Sequence, residues 1–375
     1  MDKKRTFAFL AHRVESWNAL LDSKLFNHLH RNPRLHWFWV WMAPLYWAVS
    51  VISLFSKRGY ETVDRFRFAG MESQTVLLRN YAWHFLFGGI RKAIKKRILQ
   101  AVLSAQKENQ VIGLGALTKA EWLTQGGQWI VDKLGDKLQA SLVHGDTLTA
   151  AGILKMVDAV FKKYHLGGPV FITGATSKIG RAVVLILAKN QVFVKMYTKS
   201  EERFAAIKEA AGEKGRFIFK ATSLKDGANC QLWLTGKSKP SGKKLLRAIP
   251  KGAVVLNFSV PNPLGENNRQ PKPGVLAIEG GLLAYNPAAT DLRFTMRLCP
   301  GLTYACHAGT AVHAYKGWDF HEVGRVELPL LKEVWQAAEE IGFFLPALPE
   351  VVAQVVKEPK PLWKKLADMP AGIAL

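Results

Sequence analysis

The segment best suited to nucleotide chemistry is Gly174-Ala175-Thr176-Ser177-Lys178-Ile179-Gly180. It follows the apolar run Val170–Thr173, typical of a buried strand, and leads into an apolar stretch to Lys189 that predicts a helix. Glycines after a strand let the backbone approach a pyrophosphate, and a helix N-terminus adds N–H donors and a positive dipole. This order predicts a dinucleotide-binding turn in which Ser177 replaces the middle glycine of GxxGxxG.

The cofactor preference depends on the residues that follow the next predicted strand, Gln191–Tyr197. An NAD site places an acidic residue there for the ribose hydroxyls. This sequence instead has a basic and hydroxyl-bearing set: Thr198, Lys199, Ser200 and Arg203. Positive charge and hydroxyl groups suit a 2′-phosphate, so the sequence predicts NADPH as the cofactor.

Cys306 is the candidate nucleophile. Pro300-Gly301 precedes it, and a helix is predicted from about Thr303 to Lys316, with Gly317 as its stop. The first turn of a helix favours thiolate formation, which is typical of a reactive cysteine. A cysteine is more often a buried structural residue, however, so the residues alone leave both interpretations open.

The other candidate side chains are assigned no chemistry. Cys230 and Cys299 are interpreted as structural, and an odd, scattered set of three cysteines argues against a disulfide framework. His313 lies about 10 Å from Cys306 along a helix axis and is excluded as its immediate base. His307 points to another side of the same helix. No CxxC, HxxH, HxxxH or HxxHH spacing occurs, so no metal site is predicted.

Composition limits the partners. The chain has 375 residues, 49% of them hydrophobic and 22% charged, which fits two domains and an N-terminal appendage. Its formal net charge of +23 attracts polyanions. The sequence lacks the usual nucleic-acid-binding motifs, so no nucleic acid is expected as a partner. An anionic membrane surface and phosphorylated cofactors remain.

The run Trp37 to Phe55 contains no charged residue and is long enough to cross a bilayer core of roughly 30 Å as a helix. Pro44 and the tryptophans also fit a kinked interfacial anchor, and a buried core helix is the third alternative. Basic residues on both sides leave the orientation unresolved. We expect a membrane-associated protein whose catalytic domain faces the cytoplasm.

The remaining patterns organise the chain. Ile90–Gln106 predicts a basic amphipathic helix. Strands near 111–115, 129–131 and 141–143 and a helix over 149–164 predict a small α/β lobe. Further strands at 231–234 and 254–258 extend the parallel sheet. The predicted fold is therefore α/β, with a Rossmann-like parallel-sheet domain, a smaller α/β lobe and an N-terminal hydrophobic membrane-associated segment.

The predicted regions follow the same order. Residues 1–70 form a basic region with the anchor at 37–55, and 71–165 form the small lobe, a candidate acyl-substrate lobe. Residues 166–300 form the NADP(H)-binding domain, and 301–375 form a helical region that carries Cys306.

Several stretches resemble two known families. They are Leu142-Val143-His144-Gly145-Asp146, the turn at Gly174–Gly180, Pro261-Asn262-Pro263-Leu264-Gly265, Gly280-Gly281, and Ala305-Cys306 followed by Gly317-Trp318. From about Ile112 to Leu348 their order is similar to the long-chain acyl-(acyl-carrier-protein) reductases of cyanobacteria. The same region resembles the C-terminal domain of plant wax-biosynthesis proteins related to very-long-chain aldehyde decarbonylases, whose preceding di-iron domain carries histidine boxes that are absent here.

The cyanobacterial resemblance implies NADPH-dependent reduction of a fatty acyl thioester, carried by acyl carrier protein or coenzyme A, to a fatty aldehyde. Cys306 matches that family's nucleophile and would form the acyl-enzyme, whereas the plant proteins have a tryptophan there. The plant resemblance implies the alternative, a non-catalytic nucleotide- or acyl-binding partner of an aldehyde-consuming enzyme of wax or alkane formation. Ser177, the basic anchor and the residues after Cys306 depart from the cyanobacterial pattern.

Overall fold

The computed structural model describes residues 5–13, 44–45, 48–56, 59–236, 242–259, 262–264, 271–294, 296 and 298–349. The chain divides into two compact units. Unit 1 lies within Met1–Gly145 and Tyr285–Arg325, and unit 2 within Asp146–Ala284 and Val326–Leu375. Much of the apolar run at 37–55, together with Pro261 and Gly265, lies outside the described residues.

The described residues in the first part of unit 1 include five strands and four α-helices, besides the helical residues 44–45 and 48–54. The strands are β1 (Thr6–Arg13), β2 (Tyr60–Phe68), β3 (Met71–Tyr81), β4 (Val111–Leu114) and β5 (Ser141–Val143). The helices are α1 (Ala82–Leu86), α2 (Arg91–Ala105), α3 (Glu121–Thr124) and α4 (Gln128–Leu134). The strands form one sheet in the order β2-β3-β1-β4-β5.

Strand β1 lies at the centre of this sheet, which changes the interpretation of residues 1–70. It pairs in parallel with β3 on one side and β4 on the other, and β2 pairs antiparallel with β3. Ala8 and Leu10 are buried in the core with Ile94 and Ile98 of α2. Strand β1 is therefore part of a folded unit rather than of an N-terminal appendage, because it is buried on both faces.

Two local predictions in unit 1 have opposite outcomes. The basic amphipathic helix is confirmed as α2, whose buried stripe includes Ile94, Ile98 and Val102. The strand near Trp129–Val131 is wrong, since these residues lie in helix α4. Within that helix only Ile130 and Leu134 are buried, and their spacing of four residues is helical. A short apolar run cannot distinguish a strand from a helix by periodicity.

Unit 2 begins with helix α5 (Asp146–Tyr164) and alternates strands with helices. Its strands are β6 (Val170–Thr173), β7 (Val194–Tyr197), β8 (Ile218–Ala221), β9 (Leu232–Thr235), β10 (Val254–Asn257) and β11 (Leu276–Glu279), followed by β12 (Leu282–Tyr285). Its helices include α6 (Lys178–Lys189), α7 (Glu201–Ala210) and α8 (Gly242–Ala248). The predicted α/β fold with a parallel sheet is confirmed.

The sheet of unit 2 has six strands in the order β11-β10-β9-β6-β7-β8. All five strand pairs are parallel. If β6 is counted as the first strand, the order reads 3-2-1-4-5-6, which is that of a doubly wound dinucleotide-binding domain. Strands β8 and β11 were not predicted, and they complete the two halves of this sheet.

The chain then returns to unit 1 before ending in unit 2. Unit 1 gains β13 (Leu302–Tyr304) and α9 (Ala305–Lys316), and unit 2 gains α10 (Leu331–Glu340) and β14 (Phe343–Phe344). The units therefore differ from the predicted regions 71–165, 166–300 and 301–375. Helix α5 belongs to unit 2, where it packs against α6 and α10. Sequence order alone gives no sign of such a return.

The described parts of the predicted anchor are residues 44–45 and 48–55, of which 44–45 and 48–54 are helical. Among the residues that the structure describes, no helix combines the length and the apolar character needed to cross a membrane.

Candidate nucleotide-binding site

The glycine turn lies where the strand order of unit 2 reverses. Strand β6 is flanked by β7 and β9, and Gly174 follows its last residue, Thr173. In open α/β sheets, ligands bind at the carboxyl ends of the strands at this reversal. The topology therefore places the predicted turn at the position where a dinucleotide binds.

Two glycines of this turn are required by their neighbours. Gly174 has a φ of +75°, and a Cβ added to it would lie 2.5 Å from the Gly236 carbonyl oxygen. A Cβ on Gly180 would collide with the Gly174 carbonyl oxygen. Gly236 follows β9, and its N–H donates to the Thr173 carbonyl at 2.9 Å. The crevice between β6 and β9 is thus lined by backbone, which suits close approach of a pyrophosphate.

Ser177 is the N-cap of α6. Its hydroxyl accepts a hydrogen bond from the Gly180 N–H at 3.1 Å, and its own N–H donates to the Gly174 carbonyl at 2.9 Å. The side chain is exposed to solvent. Capping therefore explains why Ser177 replaces the middle glycine, because serine is among the preferred N-cap residues. It also leaves the helix N-terminus open to an anion.

The other turn residues are distributed around this cap. Ala175 is buried, whereas Thr176 and Ile179 are half-buried. Lys178 forms an ion pair with Asp146 at the start of α5, with 2.9 Å between Nζ and Oδ2. Asp146 is 2% exposed, so the lysine side chain is held by a buried carboxylate of the protein. Sequence analysis identified the lysine but missed its partner, because no local pattern links positions so far apart.

Thr173 provides an independent sign that a ligand fits here. Its side chain is fully buried at the carboxyl end of β6, and its Oγ1 has no hydrogen-bond partner among the described residues. Buried hydroxyl groups are nearly always satisfied by protein, water or ligand. An unsatisfied hydroxyl beside a backbone-lined crevice fits a polar group bound at this edge.

The predicted 2′-phosphate residues lie together after β7. Thr198 is buried and its Oγ1 accepts from the Ser200 N–H at 3.2 Å, while Ser200 caps α7 by accepting from the Arg203 N–H at 3.2 Å. Lys199 and Arg203 are exposed. The two hydroxyl groups therefore shape the loop, and the two basic side chains remain available to an anion.

A polar cluster that sequence analysis missed lies at the carboxyl ends of β9, β10 and β11. Thr235 donates to Asn257 at 3.0 Å, and the Asn257 amide donates to Glu279 at 2.9 Å. Asn262 also donates to Glu279. Thr235 and Asn257 are buried. A polar residue that ends a buried strand is the signal that could have revealed this cluster, because such ends face the ligand edge of the sheet.

Cys306 belongs to unit 1, where it is the second residue of α9. The predicted helix and its stop are confirmed, with Gly317 in the left-handed region at φ +67°. Cys306 packs beside the apolar cluster of Phe9, Ala11 and Leu77. The loop before α5 also meets this turn, since a Cβ on Gly145 would lie 2.7 Å from the Cys306 Cα.

The neighbouring histidines have structural surroundings. His307 is buried among aromatic rings, with 4.6 Å between its ring centroid and that of Phe9, and its Nδ1 lies 3.0 Å from Thr303 Oγ1. His313 is buried and its Nε2 lies 2.9 Å from the Phe320 carbonyl.

Burial raises the pKa of the Cys230 thiol to about 12. In the described part of the chain, no group of three His, Cys, Asp or Glu side chains could hold a metal ion.

Comparison with known proteins shows which proteins this chain is similar to. Residues 170–345 match the family model of the CER1-like, C-terminal domain. The very-long-chain aldehyde decarbonylase GL1-2 of Oryza sativa subsp. indica is 34% identical over 288 residues, covering 75% of this chain and 43% of that protein. GL1-1 of the same subspecies is 31% identical over 353 residues, covering 91% and 54%. The chain therefore spans about half the length of these relatives.

The match bears on both predicted resemblances. The resemblance to the C-terminal domain of the plant proteins is confirmed, while the resemblance to the cyanobacterial reductases stays a prediction. Among solved structures, the L-tryptophan dehydrogenase from Nostoc punctiforme aligns with a TM-score of 0.38 and 11% identity, covering 90% of this chain and 79% of that one. This alignment is too distant to support an inference about the CER1-like region.

The predicted reduction of a fatty acyl thioester to an aldehyde is wrong. The relatives are named aldehyde decarbonylases, so their names make the aldehyde the compound that is consumed. The expected reaction made it the product. The role of Cys306 as an acyl-enzyme nucleophile belonged to that reaction and is not retained.

Replacing Lys199 with alanine is expected to weaken NADPH binding about ten- to a hundredfold and to leave NADH binding unchanged. The reason is that a charged hydrogen bond to the 2′-phosphate, worth roughly 1.5–3 kcal/mol, is lost only for NADPH. Fluorescence titration of both cofactors measures the ratio, with Lys189→Ala as an exposed lysine control. Equal affinity of the wild-type protein for the two cofactors contradicts the assignment.

Acid is expected to destabilise unit 1 through two buried histidines. Burial lowers the pKa of His12 and of His307 to about 4. The unfolded chain, with a histidine pKa of about 6.5, binds these protons first, so stability is full above that pH and is lost as the pH falls toward about 4. The loss approaches roughly 3 kcal/mol for each histidine.

Urea unfolding monitored by hydrogen exchange in β1 and β4 measures this pH dependence. His307→Phe is expected to make it shallower, because one titrating group is removed from the aromatic cluster. His165→Asn is the control, since His165 is exposed and its substitution should leave the slope unchanged. A slope that His307→Phe does not alter argues against the linkage.

Proposed function

We propose that the chain binds NADP(H) and uses it in hydride transfer to a long-chain aldehyde, within the formation of waxes or hydrocarbons. The observation that carries the proposal is the glycine turn at the strand-order reversal of a six-stranded 3-2-1-4-5-6 parallel sheet. The turn has the backbone geometry that a pyrophosphate needs, and the buried Thr173 hydroxyl beside it lacks a protein partner among the described residues.

Each part of the site has a role in holding the cofactor. The N–H groups and dipole at the start of α6 bind the pyrophosphate, and Ser177 keeps that helix terminus capped. Lys199 and Arg203 bind the 2′-phosphate and so select NADPH over NADH. The cluster around Asn257 and Glu279 lies in the other half of the sheet. There it binds the nicotinamide half of the same cofactor molecule.

The cofactor sets the class of reaction. When bound, NADPH supplies a hydride; an aldehyde carbonyl carbon accepts it, and a proton completes the alcohol. The substrate class comes from the names of the relatives, which are very-long-chain aldehyde decarbonylases. Because the chain spans about half of their length, the activity of the complete relatives is not transferred to it.

Turnover with a long-chain aldehyde tests the proposal. The purified chain is incubated with NADPH and octadecanal, and NADPH absorbance and the lipid products are followed together. We expect NADPH loss that depends on the aldehyde and matches the octadecanol formed. Stearoyl-coenzyme A serves as a comparison substrate. Bound NADPH that is never oxidised in the presence of long-chain aldehydes would overturn the proposed reaction while leaving the nucleotide site intact.

A further inference from the structure

The helical residues 48–54 have their polar side turned toward the protein and their apolar side turned outward. Ser50 is fully buried, and its backbone carbonyl accepts a hydrogen bond from the Ser53 hydroxyl at 2.6 Å. Ile52 is 67% exposed and Phe55 81% exposed. A helix on the surface of a protein in water normally shows the reverse arrangement. This orientation therefore needs an apolar environment outside.

The outward residues form a regular stripe. Val49 and Ile52 are exposed and lie three positions apart on one face of the helical residues 48–54, and Leu45 is exposed as well. Helix α2 holds the end of this segment in place. The Arg97 side chain donates to the Leu54 carbonyl at 2.5 Å and to the Ser56 carbonyl at 3.2 Å. The end of this helical segment is thus anchored to α2.

Helix α1 adds a second exposed apolar element. Leu86 and Phe87 are 68% and 58% exposed and are followed by the exposed Gly88-Gly89. We define the apolar face as Leu45, Val49, Ile52, Phe55, Leu86 and Phe87. All of its members belong to unit 1 and are carried by neighbouring elements.

Cations follow directly after this apolar face. Helix α2 begins with Arg91 and Lys92 and continues with Lys95 and Lys96, and its sequence contains no acidic residue. Arg91, Lys92 and Lys96 are exposed. Arg91 stacks over Trp122 at 4.8 Å and Lys95 over Trp129 at 4.3 Å, so both tryptophans lie next to the basic helix. Apolar side chains, tryptophan and cations together are typical of a surface that lies at a membrane interface.

We propose that this apolar face and the cations of α2 dock unit 1 onto an anionic phospholipid surface, without requiring a helix that crosses the bilayer. Exposed apolar side chains enter the acyl boundary, and the basic residues contact the headgroups. A second copy of the chain is a poorer occupant, because Arg91, Lys92 and Lys96 would then meet the same cations. The proposal does not depend on the proposed function.

Vesicle co-sedimentation of the full chain tests the docking. Vesicles of phosphatidylcholine alone are compared with vesicles that also contain phosphatidylserine, at low and high salt. Wild type should prefer the anionic vesicles and lose binding as salt rises, because exposed charges are screened. Ile52→Ser/Phe87→Ser and Lys92→Glu/Lys96→Glu should each reduce binding to the anionic vesicles about tenfold or more.

Control variants in unit 2 distinguish specific docking from nonspecific binding to vesicles. Phe219→Ser removes an exposed aromatic side chain, and Lys208→Glu/Lys225→Glu changes the net charge by the same amount as the α2 double variant. Both should bind vesicles like wild type. Equal loss in these controls, or unchanged binding of the α2 and apolar variants, overturns the proposal. So does a dimer in size-exclusion chromatography that Phe87→Ser dissociates.

Discussion

Ser177→Asp is expected to weaken NADP(H) binding about a hundredfold while the protein remains folded. Aspartate caps a helix as well as serine does, so α6 should keep its N-cap. Its carboxylate, however, would occupy the helix terminus that binds the pyrophosphate and repel it. Two like charges within a few ångströms cost several kcal/mol where water is partly excluded. Fluorescence titration gives the affinity, and thermal unfolding reports the fold.

Ser177→Asn is the matched control for this effect. Asparagine has nearly the same shape as aspartate and caps equally well, but it carries no charge. We expect its NADP(H) affinity to stay within a few-fold of wild type. If aspartate and asparagine weaken binding equally, the loss reflects shape and not charge, and the pyrophosphate does not bind at this helix terminus.

Gly145→Ala is expected to destabilise unit 1 by about 3 kcal/mol. The residue has a φ of +65°, which costs alanine roughly 1 kcal/mol, and its Cβ would collide with the backbone of Cys306. Overpacking against backbone adds a further 1–3 kcal/mol or so, since neither segment can move aside without cost. Hydrogen exchange in β4, β5 and α9, followed as a function of urea, measures the effect on this unit.

Gly317→Ala separates the two causes. Gly317 also has a positive φ, of +67°, but a Cβ there would have nothing within 4 Å. It should cost only the roughly 1 kcal/mol of backbone strain. Equal destabilisation by the two substitutions would mean that the loop at Gly145 does not pack against the first turn of α9 as described.

The glycine turn after β6 was predictable because its signal is local. Strand β6, the glycines and helix α6 are consecutive in sequence, and each has a recognisable residue pattern. The loop at Lys199 was also found from its position after the second strand. The Asn257 and Glu279 cluster was missed because it is formed by the ends of separate strands, which only the sheet topology brings together.

Unit 1 was harder to predict because its sheet is assembled from distant segments. Strand β1 pairs with β3 and β4, which lie far along the chain, and β1 has the composition of any buried apolar run. The uncharged run at 37–55 predicts a membrane segment, whereas the short run at β1 carries no comparable signal. Helix α4 was mistaken for a strand because Trp129, Ile130 and Val131 favour strands individually, whereas the spacing of its buried residues is helical.

Cys306 alone could not show whether the aldehyde is the product or the substrate of the reaction. Its place in the first turn of α9 was predicted correctly, yet the same position serves as a packing contact for Gly145 and for the cluster around Phe9. A thiol at a helix start is compatible with either role. The predicted thioester reduction is contradicted by the names of the relatives and not by any feature of Cys306.

Isotope transfer from labelled NADPH tests the central claim most directly. The purified chain is mixed with octadecanal and NADPH that carries deuterium at its transferable position, and the long-chain product is analysed by mass spectrometry. The account predicts octadecanol with one deuterium on its hydroxyl-bearing carbon for each NADPH oxidised, and far less of this product with Ser177→Asp at the same NADPH concentration. An unlabelled product, or no product while NADPH is bound, would contradict it.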